Sequence, residues 1–407
     1  MAKKKIEIKK YKDIILPKCD EPYDVPENWF WTTMGNIGQW GSGGTPSRSH
    51  DEYYNGNIPW IKIGDFSGKY LSQSSEFITE EGLNNSSAKL FSKGTILYSI
   101  FATLGEVSIL NIDATTNQAI AGIKLRNESE INIDFFYLYL KSLKDEVNRI
   151  GRGVAQNNIN LSILKNFIIP LPPLETQKQI AAVLDKCTSL ISKYKQILKK
   201  YDTLIKSRFI EMFDNYQNSE CQTLETLCSI ITDGTHQPPK FTTTGIPFLF
   251  VSNIAGNKLT YETEKFISEE TYKELYKRTP IEIGDILLST VGSYGHPAIV
   301  ENDKKFLFQR HIAYLKPKKD FINSVYFHGA LLSPDVQKQI EERVKGIAQK
   351  TLNLSEIRKI TIPVPPIDLQ NDFASFVQQI DKSKFVVQKS LEKAETLYKS
   401  LMQEYFG

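Results

Sequence analysis

The sequence predicts an α+β protein: two duplicated mixed α/β domains, separated by two long antiparallel helices that form a coiled coil. Three observations carry that expectation. The 407-residue chain repeats itself along most of its length. Each copy ends on the same junction, an apolar run meeting a proline pair. After each junction the apolar residues fall into a heptad seam.

The chain is too long for one small core and suits two or three domains. With 41% hydrophobic and 24% charged residues it has the composition of an ordinary globular protein. It holds no run of about 18 apolar residues, so no membrane span is expected. The four cysteines, Cys19, Cys187, Cys221 and Cys228, form no CxxC pair and have no histidine at zinc spacing. Reduced thiols, a cytoplasmic location and no metal site follow. A net charge of +3 permits a basic face without announcing nucleic acid.

Residues 1–25 form a basic lead-in without a signal-peptide core, to which no role is assigned. The first domain is expected over 26–173 and the second over 222–366. Between them the offset of matching segments drifts only from 188 (Asn57 against Gly245) to 193 (Ile168 against Thr361). Asn57–Phe66 faces Gly245–Ile254, and Lys93–Leu110 faces Ile283–Val300 with Gly94/Gly284, Ser99/Ser289 and Gly105/Gly295 in common. Asn117–Leu125 faces Gln309–Pro317. Gly151–Leu164 faces Val344–Ile357, sharing Gly153/Gly346, Gln156/Gln349 and Asn160/Asn353. A period near 190 is far beyond solenoid repeats, so each copy is a whole domain plus a connector. Within a copy, alternating runs such as WIKIGDF, TILYSI and DILLSTV predict short strands between Gly/Asn/Ser/Pro turns. A helix is expected over Asp134–Ile150.

The spacer helices are expected over 174–214 and 367–407. Their apolar positions step by four and three: Ile180, Leu184, Cys187, Ile191, Tyr194, Leu198, Tyr201, Ile205 and Met212, with a gap at Arg208. In the second helix they run Phe373, Val377, Ile380, Val387, Leu391, Ala394, Tyr398, Leu401 and Tyr405, broken at Lys384, which is expected to weaken the pairing locally. Pro172–Pro173 and Pro365–Pro366 stand where helix starts tolerate proline, and Glu175 and Asp368 suit the positive end of the dipole. A domain lies between the two helices in sequence, so they must pair antiparallel.

Nothing in the sequence reads as a catalytic centre. No GxGxxG opens a helix, and neither GxxxxGK[ST] nor HExxH occurs, so no cofactor is expected. The five histidines (His50, His236, His296, His311, His328) are scattered, each read as a hydrogen-bonded surface or turn residue. Reading DNA needs other equipment: cations for phosphates, and polar side chains on glycine-supported turns for base edges. Four pairs of turns offer it. Gly44–Arg48, with Thr45, Ser47 and Arg48, matches Gly234–Lys240, with Thr235, His236 and Lys240. Ile100–Glu106, with Thr103, matches Thr290–Pro297, with Ser293 and Tyr294. Thr115–Gln118, ending on Gln118, matches Phe308–His311, with Arg310 and His311. Arg152–Asn158, with Arg152, Gln156 and Asn157, matches Lys345–Thr351, with Lys345, Gln349 and Lys350. Lys62 completes the set.

The order of ILYSIFATLGEVSIL, GVAQNNINLSILKNFIIPLPPLETQKQI and a long helix, all repeated, resembles the specificity subunit of type I restriction–modification enzymes. Ile231–Pro239 looks like the opening motif of one target-recognition domain, and Gly41–Arg48 like its counterpart. The resemblance implies a non-catalytic subunit whose two target-recognition domains each read half of a split site on double-stranded DNA. It also implies helices that space the domains and dock two methyltransferase subunits, with restriction (translocase) subunits joining the larger assembly. The copies agree at Gly, Pro and apolar positions and differ at Thr45/His236, Gln118/Arg310 and Ala119/His311, which points to an asymmetric bipartite target. The competing expectations are a coiled-coil adaptor without DNA specificity and a self-sufficient methyltransferase.

Overall fold

The computed structural model describes residues 15, 25–127, 129–151, 158–216, 221–346 and 350–407. The chain forms two compact units, the first holding the chain up to Lys193 with Leu391–Gly407, the second holding Tyr194–Ser390. Among the described residues no helix is long and apolar enough to cross a membrane. The lead-in 1–25 lies almost wholly outside the described residues.

In the first unit, a five-stranded sheet runs in the order Gly38–Ser42, Ile120–Leu125, Ile96–Ser99, Val107–Leu110, Tyr70–Leu71. A three-stranded sheet places Tyr54–Ile61 between Glu76–Ile78 and Thr115–Thr116. The second unit repeats the plan with a four-stranded sheet, Cys228–Asp233, Ile312–Pro317, Ile286–Ser289, Pro297–Ile299, and a three-stranded one centred on Ile246–Leu249. The fifth strand, Tyr70–Leu71, belongs to the first copy's sheet alone.

The central strands differ in character from the half-buried alternation expected of them. All four residues of Ile96–Ser99 are buried, and so are all four of Ile286–Ser289. Ile96 and Tyr98 point into one hydrophobic cluster and Leu97 into another; Ile286 and Leu288 share a cluster while Leu287 joins a second. Period two is present, but both faces meet apolar neighbours, as in a strand covered on both sides. The strand expected through Phe66 also stops early, at Ile61. There the Asp65 carboxylate accepts from the Lys62 amide at 2.8 Å and turns the chain, and Asn253 does the same for Phe250 at 2.9 Å. The helix expected over Asp134–Ile150 is two helices, Ile133–Ser142 and Lys144–Gly151. Ser142 donates to the Tyr139 carbonyl at 2.7 Å, a local bond that competes with helix propagation. The second copy breaks at the same place through Ser333 and Pro334, between Ser324–Leu331 and Pro334–Arg343.

Each domain closes on itself before its helix begins. Phe30–Thr33 pairs antiparallel with Ile168–Leu171, and Cys221–Thr223 with Thr361–Pro363. The proline pair follows, then a helix of 40 residues in each copy, Leu174–Phe213 and Ile367–Phe406. The glutamine of the repeated junction is a buried lock. Gln177 accepts from the Asn132 amide at 2.8 Å and donates to the Glu130 and Pro172 carbonyls at 3.0 and 2.8 Å. Gln370 accepts from Asn323 at 2.8 Å and donates to Phe321 and Pro365 at 3.3 and 2.8 Å. One amide side chain thus ties the first turn of each long helix to the N-cap of a domain helix.

Every expected seam residue of both long helices is buried or half-buried, and so are the two polar gaps. In the first unit Ile180, Ala181 and Leu184 enter the domain's cluster with Phe406, whose ring meets Phe135 and Tyr139. In the second unit Phe209 and Phe213 pack on Phe373 and Tyr326. There Asp202 faces Lys384 and Phe209 faces Phe373, so the paired segments run antiparallel. Lys384, expected to weaken this stretch, is paired there: its ammonium lies 2.5 Å from the Asp202 carboxylate. Arg208 fills its own gap by lying over the Phe376 ring.

Candidate nucleic-acid interface

The expected turns of each copy are gathered by the same set of backbone hydrogen bonds. In the first domain Gly43 and Gly44 donate to Ile120 and Thr116 (3.1 and 2.9 Å), joining the Gly44–Arg48 turn to the Gln118 turn. Ile100 donates to Ala119 (2.8 Å) and Ile159 to Ile100 (3.0 Å), which brings up the Ile100–Glu106 turn and the chain after Asn157. In the second domain Gly234 and Thr235 donate to Ile312 and Phe308 (3.2 and 2.9 Å), Thr290 to His311 (3.0 Å), and Leu352 to Thr290 (2.8 Å). Four separate sequence segments therefore make one patch in each domain. The glycines are backbone geometry, as expected: a Cβ on Gly43 would sit 2.0 Å from Thr116 Oγ1, and one on Gly234 2.3 Å from the Phe308 carbonyl. Gly105 and Gly295 turn back to bond Ser99 and Ser289 at φ of 82° and 78°, where a side chain would be strained.

On the first domain's patch the Thr45 hydroxyl donates to Gln118 Oε1. Ser47 bonds Ser49 at 2.7 Å. Arg48 and Lys62 both reach Glu76, at 2.7 and 2.5 Å, and Arg48 also lies over the Tyr54 ring at 4.2 Å. These two bonds, Lys62 first, hold the Glu76 carboxyl below the usual carboxylate range. The cations are thereby oriented, at little energetic cost because such exposed pairs contribute about 0–1 kcal/mol. Thr103 is exposed on its turn. Arg152, Gln156 and Asn157 lie outside the described residues.

On the second domain's patch, Arg310 donates from its amide to the Thr235 carbonyl at 3.0 Å and from Nε to His311 Nε2 at 3.3 Å. Burial, then the adjacent Arg310 charge, pull His311 below the usual histidine value, so its ring is neutral and able to accept. Ser293 is exposed, whereas Tyr294 packs half-buried against the core. The Gly292 amide donates to the Lys350 carbonyl at 3.3 Å, and the Lys345 amide to the Thr351 carbonyl at 3.0 Å. Lys345 extends to within 3.7 Å of Glu356. Gln349 lies outside the described residues.

Beside this patch Thr235, His236 and Lys240 line a cleft of about 400 Å³ with Thr271, Glu274 and Arg278. Asp233 holds two of the lining side chains: the His236 ring at 2.9 Å, and Arg278 through a second carboxylate oxygen. Arg278 was not among the expected residues; it comes from the helix Glu269–Tyr276 and the turn after it, remote in sequence from Asp233, and a basic residue ahead of Pro280 was its only sequence signal. The histidines hold hydrogen bonds as expected; His328 is half-buried in the helix Ser324–Leu331 rather than in a turn, with Nε2 near the Asn257 and Pro297 carbonyls at 3.1 and 3.2 Å.

Two domains with one cradle and different side chains match a known pattern. A family model described as the type I restriction modification DNA specificity domain matches the chain twice, over 26–200 and 235–395. The chain belongs to that family. The type I restriction enzyme MjaIX specificity subunit of Methanocaldococcus jannaschii is 28% identical over 382 residues, covering 88% of this chain and 87% of its own. The EcoBI specificity subunit of Escherichia coli is 26% identical, covering 72% and 69%. The fold is shared with the type I restriction–modification system S subunit of M. genitalium, at a TM-score of 0.53 and 17% identity, over 95% of this chain and 98% of that one. The specificity domain is thus present twice, each copy running on into a long helix.

Proposed function

We propose that the chain is the non-catalytic specificity subunit of a type I restriction–modification complex, reading an asymmetric bipartite site on double-stranded DNA. Residues 26–173 read one half-site and 222–366 the other. The helices 174–214 and 367–407 hold the readers and dock methyltransferase subunits, two per chain, with restriction subunits joining them in the cytoplasm. Membership of the specificity-domain family supports the role. The observation that carries the bipartite reading is the repeated cradle: the same backbone bonds in each domain present Thr45 and Gln118 in one and His236 and Arg310 in the other. One scaffold with two sets of side chains reads two sequences. Arg48, Lys62, Arg152, Lys240, Lys345 and Lys350 are assigned to phosphates. Thr45, Ser47, Thr103, Gln118, Gln156, Asn157, Thr235, His236, Ser293, Tyr294, Arg310, His311 and Gln349 are assigned to the base-reading face.

The purified chain alone should transfer no methyl group, cut no DNA and hydrolyse no ATP. Combined with its methyltransferase partner it should confer methylation at a single bipartite motif. Turnover by the chain alone, or the same motif methylated by the partner alone, overturns the proposal.

A further inference from the structure

Resting on that reading, the two patches can be taken one step further, to the bases they address. At matched positions of the cradle each domain presents one long planar polar side chain, Gln118 in the first and Arg310 in the second, both exposed. Neither is free to swing, because each is held by one neighbour. The Thr45 hydroxyl donates to Gln118 Oε1. That leaves the second lone pair of Oε1 and both Nε2 protons of this exposed side chain for a base edge, one acceptor beside one donor. This is the pattern that pairs with adenine N6 and N7 in the major groove. His311 occupies Arg310 Nε from within the same turn. That leaves the two terminal nitrogens of the guanidinium, a pair of parallel donors matching guanine O6 and N7. The holding groups also differ in kind. Thr45 reaches across from the Gly44–Arg48 turn, whereas His311 is the reader's own neighbour, and its matched position in the first domain is Ala119, which holds nothing.

We propose that Gln118, positioned by Thr45, reads an adenine in the half-site of the first domain, and that Arg310, positioned by His311, reads a guanine in the half-site of the second. Pre-set side chains lose less rotamer freedom on binding than free ones, so the holding bonds sharpen discrimination as well as aim.

The test is methylome mapping of strains whose complete complex carries single substitutions in this chain. Gln118→Ala should relax one adenine position in one half-site and leave the other half unchanged. Arg310→Ala should relax one guanine in the opposite half. Each preference should fall roughly ten- to a hundredfold. Thr45→Val should partly reproduce Gln118→Ala while Thr45→Ser restores the motif, and His311→Ala should mimic Arg310→Ala in weaker form while His311→Asn, which keeps an acceptor, restores it. A merely structural role would lower methylation at all sites without moving one base position. Relaxation at a different base, at both halves, or at none overturns the inference. So does a uniform loss across sequences with the salt slope reduced by about one, the mark of a phosphate contact. The function reading fails separately, if the methyltransferase partner alone yields the wild-type motif.

Discussion

The two domains agree at bonds by which a side chain locks the scaffold and differ at side chains, such as Gln118 and Arg310, that the patch exposes. Gln177 and Gln370 make the same three bonds, and Ser99 and Ser289 accept from Glu106 and His296 at 2.8 and 2.9 Å. Thr45 and His236, by contrast, spend their side chains on different partners, Gln118 and Asp233. The difference separates two jobs. Residues that close a buried backbone bond have one solution, because an unpaired buried donor costs about 1–3 kcal/mol. Residues facing outward from a fixed cradle can change without cost to the fold, and on the proposed function changing them changes what is read.

The sharpest way to break the comparison is to disturb what both copies share, the helical rods. Each continuous helix of 40 residues is about 60 Å long at a rise of about 1.5 Å per residue. Two residues inserted near Leu198 and near Leu391 rotate everything beyond them by about 200°, turn the seam outward and should abolish assembly. A whole heptad at the same places keeps the seam in phase and adds about 10 Å. If the rods set the distance between readers, the mapped site should keep both half-sequences and gain about three base pairs between them, at about 3.4 Å each. An unchanged spacer with full activity shows that the rods are not the ruler.

Next in size is the glutamine lock. Gln177→Leu fills the same space but strands the Asn132 amide and two carbonyls in a buried site, and should cost about 2–4 kcal/mol. Gln370→Leu should cost the same, because its three bonds are the same. The two substitutions are compared by denaturant melts that resolve the transitions of the two units. A loss under about 0.5 kcal/mol at either site, or a clear inequality between them, would show that the copies share a motif without sharing its energetics.

How much of this was legible beforehand follows the same division. The heptad seams could be read residue by residue, because a rod's burial depends on local spacing alone. So could the glycines of the patch turns. The glutamine lock was visible only as a recurring letter after an acidic residue, since its partners lie 45 and 47 positions away. The strand end at Ile61 is not visible in the alternation because Asp65 captures the amide of Lys62, three residues before it. Arg278 escaped for a similar reason: Asp233, which positions it, is 45 residues distant. Pairings closed by tertiary contact are what a single sequence does not display.

The smallest expected effect concerns Lys384, the polar residue in an otherwise apolar seam. Its side chain is 13% exposed between Ile380 and Val387, and its partner Asp202 is 58% exposed. A cation so far withdrawn from water has lost much of its hydration, while a half-exposed carboxylate returns only a modest Coulomb gain. Lys384→Leu trades the pair for apolar contact at a seam position, and stability should change by no more than about 1 kcal/mol, in the stabilising direction if at all. Phe373→Ala in the same stretch should instead cost about 3–5 kcal/mol, since that ring is buried against Phe209 and Phe213. The contrast tests whether packing or charge holds the paired segments. The use of the ion pair would then lie in register: an apolar seam tolerates slippage by a heptad, and one lysine facing one aspartate does not. A loss in Lys384→Leu larger than that in Phe373→Ala would reverse the order and make the ion pair, not the rings, the main bond of that stretch.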